Sequence, residues 1–71
     1  MEIRRIIVDA GEARNWVFSL ETRSSPIEII AQAKKLGYLA IPAGALGRRG
    51  DEESRAPREA CILFSRIVEV S

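Results

Sequence analysis

Histidine is absent from this 71-residue sequence, and cysteine occurs only once, at Cys61. Without histidine, the chain lacks the commonest general base and the usual activator of a serine or cysteine nucleophile. One cysteine cannot form a disulfide within the chain, so the sequence gives no sign of an oxidising compartment. A zinc site built from cysteine and histidine is excluded within one chain, because such sites need several nitrogen or sulfur ligands.

Long apolar runs are also missing. No segment approaches the roughly 20 apolar residues that cross a bilayer as a helix, and the N-terminal region lacks the apolar core of a secretory signal peptide. We therefore expect a cytoplasmic protein that does not contact a membrane. The 71 residues predict a single domain with a small core, and a homodimer is one way to stabilise a domain of this size.

An excess of charge of either sign is lacking as well. Eleven lysine and arginine residues face ten aspartate and glutamate residues, whereas a dedicated nucleic-acid-binding protein usually has a net basic surface. Only four aromatic residues are present, and the two on one strand, Trp16 and Phe18, are placed as core rather than as a platform for stacking bases. The alternative function is a nucleic-acid-binding accessory protein, which would bind through a local patch of arginines.

Carboxylates are the remaining source of chemistry. Asp9 and Glu12 flank a glycine turn, and residues 51–53 form an acidic run. A magnesium site needs one or two carboxylates plus substrate oxygens, but turn formation and a solvated acidic run explain these residues more simply. Cys61 lies in an apolar run, where we expect a buried and inert thiol. We predict a protein that is not an enzyme and has no catalytic, metal-binding or cofactor-binding residues.

The first half of the sequence predicts a β-hairpin and a helix. Residues 2–8 are rich in β-branched side chains, and residues 15–22 alternate so that Trp16, Phe18 and Leu20 share one face. Two adjacent arginines break strict alternation in the first strand, and either a bulge there or an edge position of the strand would account for them. Residues 24–37 predict a helix with a capping box formed by Ser25 and Glu28, and with Gly37 as its stop signal.

The second half predicts two further strands around a long polar connection. Residues 38–42 have strand character, and the β-branched content of residues 59–70 favours a strand over a helix. The resulting fold class is α+β, a small β-β-α-β-β domain with a mostly antiparallel four-stranded sheet and one helix on one face. The second face of that sheet is more apolar than a fully solvated face needs to be. The residues that could form it are Val17, Leu39 or Tyr38, Cys61, Leu63 and Ile67.

Residues 44–58 predict a polar loop. It is either the mobile tip of a hairpin with no binding role or a segment that becomes ordered when a partner binds. Its first part, "GALGRRG", has glycines that would admit a phosphate, but the lysine and the following helix of a phosphate-binding loop are missing. Its arginines and acidic residues balance, which argues against a general nucleic-acid arm.

These features favour a non-enzymatic protein-binding module, an adaptor or inhibitor of a larger protein complex. In size and layout the chain resembles the small inhibitors that phages and mobile elements direct against host defence complexes, including anti-CRISPR proteins. That resemblance implies a protein partner. The contact residues we predict are Tyr38, Arg48, Arg49 and Arg55.

Overall fold

The computed structural model describes residues 1–11 and 15–71. It confirms the α+β class, with one α-helix and antiparallel strand pairing. The predicted single four-stranded sheet is replaced, in this described part of the chain, by seven strands in two sheets. The elements are β1 (Glu2–Asp9), β2 (Asn15–Thr22), α1 (Pro26–Leu36), β3 (Tyr38–Ile41), β4 (Leu46–Arg49), β5 (Glu52–Arg55), β6 (Ala60–Leu63), a 3-10 turn (Phe64–Arg66) and β7 (Ile67–Val70).

The main sheet has five strands in the order β5-β4-β2-β1-β7, and the second sheet pairs β3 with β6. The predicted first hairpin is confirmed, since β1 and β2 pair without a break from Glu2 opposite Thr22 to Asp9 opposite Asn15. The bulge considered at the two adjacent arginines is not found in this pairing, and the alternative of an edge strand is wrong, since β1 lies between β2 and β7. The irregularity lies further along β1, where the register with β7 shifts.

Helix α1 begins and ends where the sequence predicts. The Ser25 Oγ accepts the backbone N–H of Glu28 at 3.2 Å, and the Glu28 carboxylate accepts the backbone N–H of Ser25 at 3.1 Å. Gly37 has a φ of 85°, a left-handed conformation that glycine tolerates best, and its N–H donates to the carbonyl of Ala33 at 2.8 Å. These caps satisfy backbone groups that a helix leaves without partners.

One face of the main sheet carries the core. Helix α1 and the second sheet both cover this face. Side chains from the main sheet, the helix and the second sheet meet in one buried cluster: Ile6, Val8, Ile29, Ile41, Ile62 and Val70. Trp16 and Phe18 pack against the cluster as half-buried side chains with ring centroids 6.0 Å apart, which confirms their prediction as core. In the part of the chain that the structure describes, exposed side chains lie on the far face of the main sheet and on the outward face of the second sheet.

The C-terminal segment differs from the single strand predicted over residues 59–70. It consists of β6 and β7, which belong to different sheets and are separated by the 3-10 turn. The N–H of Phe64 donates to the carbonyl of Gly37 at 2.9 Å, so the turn is fixed to the end of the helix. Ile62 of β6 and Val70 of β7 both enter the core, each from its own sheet.

The segment predicted as a polar loop over residues 44–58 also differs. β3 and β6 pair as the base of a hairpin, as one interpretation of the loop required, but the connection between them folds into its own hairpin, β4–β5. The turn uses Gly50, whose φ of 60° suits glycine. Charges of opposite sign face each other across this hairpin, with Arg48 opposite Glu53 and Arg49 opposite Glu52. The balanced charge that the sequence shows here is therefore cross-strand pairing.

Candidate protein-binding surfaces

The outward-facing residues of strands β3 and β6 are uncharged, although Asp9 and Arg66 lie beside Cys61 and Leu63. In the β3–β6 pair, Tyr38 lies opposite Leu63 and Ala40 lies opposite Cys61, and these four residues share one face because side chains alternate along a strand. The intervening residues Leu39, Ile41 and Ile62 enter or contact the core. All four outward residues are exposed, Tyr38 by 40% and Leu63 by 57%. We call Tyr38, Ala40, Cys61 and Leu63 the uncharged surface.

A groove of about 260 Å³ runs along the side of this surface, between β3, the end of β2 and helix α1. Its rim includes Leu36, which is 51% exposed, together with Tyr38 and Ala40. Its described lining contains no charged residue but includes the polar side chains of Thr22, Ser24 and Gln32. The groove therefore extends the uncharged surface towards the last turn of the helix.

The far face of the main sheet has a different chemistry. Because Ile6 and Val8 point into the core, alternation places Arg5 and Ile7 on the far face of β1. A shallow depression of about 440 Å³ lies on this face, with two arginines around a serine and two aliphatic side chains. We call these residues the arginine surface: Arg5, Val17, Ser19, Leu46 and Arg48.

Of the predicted contact residues, Arg48 and Arg55 lie on this far face of the sheet. Both are exposed. Arg48 forms an ion pair with its cross-strand neighbour Glu53. The Arg55 Nη1 donates to the carbonyl of Gly44 at 2.9 Å, so this side chain also fixes the turn before β4.

The other two predicted contact residues lie elsewhere. Arg49 follows Arg48 on β4 and therefore points to the opposite face of the sheet, where it is half-buried. Tyr38 belongs to the second sheet, in the layer across the core. The four residues thus do not form one patch. Arg48 and Arg49 are neighbours on one strand and point to opposite faces, and Tyr38 lies in a different sheet from the arginines.

Sequence reasoning did not include Arg5 among the protein-contact residues and did not separate the two open faces. Val17 belongs to the arginine surface, whereas Tyr38, Cys61 and Leu63 belong to the uncharged surface. Ile67, another candidate for the second face, packs against the core. The position of Arg5 between inward-facing residues was available from alternation, but the existence of a second sheet was not.

Cys61 corrects the expectation of a buried thiol. It is a free and exposed cysteine on the outward face of β6. The apolar run around it suggested burial, but only Ile62 of this strand is buried, because its neighbours alternate to the outside.

The described carboxylates that were considered as magnesium ligands lie in turns or on an edge strand. Asp9 Oδ1 accepts the N–H of Gly11 at 2.9 Å, which is a turn contact, while Glu12 lies outside the described residues. Glu52 and Glu53 lie on the edge strand β5. Residues 1–11 and 15–71 contain no group of three or more histidine, cysteine, aspartate or glutamate residues placed to hold a metal ion. In that same part of the chain, no helix has the length and apolarity needed to cross a membrane.

Comparisons of the chain with protein-family models, curated proteins and solved structures found no match.

Proposed function

We propose that this protein is a non-enzymatic protein-binding module, an adaptor or inhibitor of a larger protein complex. The observation that carries the proposal is the uncharged surface, where exposed Tyr38 and Leu63 lie side by side. Exposed apolar side chains that are contiguous mark interaction sites more often than scattered ones do. Tyrosine is also enriched at the centres of protein interfaces, because its ring buries a large area while its hydroxyl keeps a hydrogen bond.

The edges of the two sheets support the same proposal. Edge strand β5 has the charged side chains Glu52, Glu53 and Arg55, which discourage pairing with another chain. Edge strand β7 is four residues long, and its pairing with β1 is irregular. Within the second sheet, by contrast, neither β3 nor β6 contains a charged residue or a proline. The two strands that form the uncharged surface are therefore also the edge strands of the second sheet.

The finer form of the proposal is an inhibitor directed against a host defence complex, of the kind that phages and mobile elements produce. It rests on size and layout alone, and a fold does not determine a function. The partner must therefore be identified by experiment.

Affinity capture from a lysate of the native host, followed by mass spectrometry, tests the proposal. The wild-type protein is compared with Leu63→Glu, which places a charge in the uncharged surface. Val68→Glu is the matched control, because Val68 is exposed to a similar extent, 60% against 57%, but lies on β7. We expect Leu63→Glu to lower capture by about tenfold or more, since a charge buried in an interface is costly, and Val68→Glu to retain the partner.

Capture that survives Leu63→Glu, with circular dichroism showing an intact fold, would contradict the proposed surface. Light scattering of the purified wild-type protein separates a second copy from a different partner. A dimer that Leu63→Glu dissociates would assign the uncharged surface to self-association, which is the homodimer alternative.

A further inference from the structure

We infer that the arginine surface is a second protein-binding site, one that receives an acidic side chain of a partner between Arg5 and Arg48. This site lies on the far face of the main sheet, across the core from the uncharged surface. It goes beyond the proposed function because it rests on different residues and a different chemistry, and it specifies what the partner must present.

The strand register brings the two arginines to one depression. Arg5 lies opposite Ser19, Ser19 lies opposite Leu46, and Arg48 lies opposite Val17. The two arginines are thus two strands and two residues apart, which is about 10 Å across the strands and about 7 Å along them. Two extended arginine side chains can cover this span and converge on a group above Ser19. All five of these neighbouring positions line the same depression.

Arg5 is held in place by its backbone. Its N–H donates to the carbonyl of Ser71 at 2.9 Å, and its carbonyl accepts the N–H of Ser71 at 3.0 Å, while β2 pairs along its other side. No hydrogen bond or ion pair of its guanidinium group is found in the part of the chain that the structure describes. The strand therefore fixes where the side chain begins, and the guanidinium group keeps its donors for a ligand.

Arg48 can also serve a ligand. Its ion pair with Glu53 is exposed, with 60% of the Arg48 side chain accessible, and exposed pairs of this kind contribute little stability. A guanidinium group has five N–H donors, so contact with Glu53 leaves donors for a second carboxylate. The aliphatic floor of Val17 and Leu46 would contact the methylene groups of an incoming aspartate or glutamate.

The charges around the depression select a protein carboxylate over a nucleic acid. The same face of the sheet carries Glu21, Glu53 and Glu69, as the register with Ile3, Arg48 and Ile7 shows. These carboxylates would repel the successive phosphates of a polyanion more strongly than one acidic residue with neutral or basic neighbours. The described aromatic residues lie elsewhere, in the core or the second layer, so the face offers no ring on which bases could stack.

A titration followed by nuclear magnetic resonance tests the site with a defined probe. The probe is a short capped peptide with one aspartate between two leucines and a basic residue at each end, and its twin has asparagine in place of aspartate. We expect amide shifts at Arg5, Ser19 and Arg48 with the aspartate peptide only. Arg5→Gln and Arg48→Gln should each weaken binding by about fivefold, the upper range for an exposed ion pair. Arg58→Gln, a change at an exposed arginine outside the arginine surface, should leave binding unchanged.

Equal binding of the asparagine twin, or no effect of Arg5→Gln, would overturn the inference. A single-stranded oligonucleotide and inorganic phosphate are titrated in parallel, and tighter binding of the oligonucleotide than of the aspartate peptide would also overturn it. Leu63→Glu should leave this titration unchanged, so failure of the arginine surface and failure of the uncharged surface are separable. Success at both surfaces would favour an adaptor that joins two partners across its core.

Discussion

Gly47 on β4 lies directly opposite Phe18 on β2, and the Phe18 ring lies close against the glycine. A Cβ on Gly47 would lie 3.0 Å from Phe18 Cε1 and 3.4 Å from Trp16 Cε3. We expect Gly47→Ala to lower the free energy of unfolding by about 1 kcal/mol, because the Phe18 ring must shift to admit the methyl group. Urea unfolding followed by tryptophan fluorescence measures both the loss and the displacement of Trp16.

Ser54→Ala is the control for this change, because Ser54 lies opposite Gly47 on the exposed strand β5. It should alter stability by less than about 0.5 kcal/mol. A Gly47→Ala variant as stable as the wild type would show that the rings do not need the space beside the glycine.

The capping box makes helix α1 sensitive to acid. The backbone N–H of Ser25, with the Ser25 side chain adding to the effect, holds the pKa of the Glu28 carboxyl below its ordinary value. The stabilisation is therefore complete above the ordinary glutamate pKa of about 4.3 and is lost as pH falls through the lowered pKa of the folded state. We expect acidification through this pH window to lower the free energy of unfolding of Glu28→Gln by less than that of the wild type. Unfolding measured at a pH above the window and at a pH below it checks this.

Ser25→Ala provides a second measurement on the same cap. Loss of the hydroxyl that accepts the N–H of Glu28 should destabilise the protein by about 1 kcal/mol at neutral pH. Parallel pH profiles for the wild type and Glu28→Gln would contradict the role given to the carboxylate.

Arg48 and Arg49 are adjacent in sequence but should respond differently to substitution. Arg48→Ala removes an exposed ion pair and should cost less than about 1 kcal/mol. Arg49→Ala should cost about 1–3 kcal/mol, because Arg49 is half-buried and its Nε is withdrawn from solvent. Chemical unfolding of both variants checks the difference, and equal losses would contradict the assignment of the two side chains to opposite faces.

The thiol of Cys61 should react with Ellman's reagent in the folded protein, because it is exposed on the outward face of β6. We expect one thiol per chain to react without denaturant. Reaction only after unfolding would contradict the exposed position and restore the burial expected from the sequence.

The parts of the fold that the sequence predicted are those with local signals. Alternation around Trp16 and Phe18 defined β2, and Ser25, Glu28 and Gly37 defined both ends of the helix. Each signal depends on residues within a few positions of one another, so it could be recognised without knowledge of tertiary contacts.

The parts that could not be predicted depend on distant contacts. β4 and β5 are polar and short, and they form a ladder only because β4 also pairs with β2. The break between β6 and β7 places Ile62 in the second sheet and Val70 in the main sheet, and both contribute to the core. The split of the contact residues follows from the same cause, since Tyr38 and Arg48 belong to different sheets.

Hydrogen–deuterium exchange of the protein, alone and bound to its captured partner, tests the central claim most directly. The account predicts that amides of β3 and β6 exchange about tenfold or more slowly in the complex, because the partner covers the uncharged surface and the unprotected edges beside it. Unchanged exchange in β3 and β6, with slower exchange confined to other strands, would contradict it.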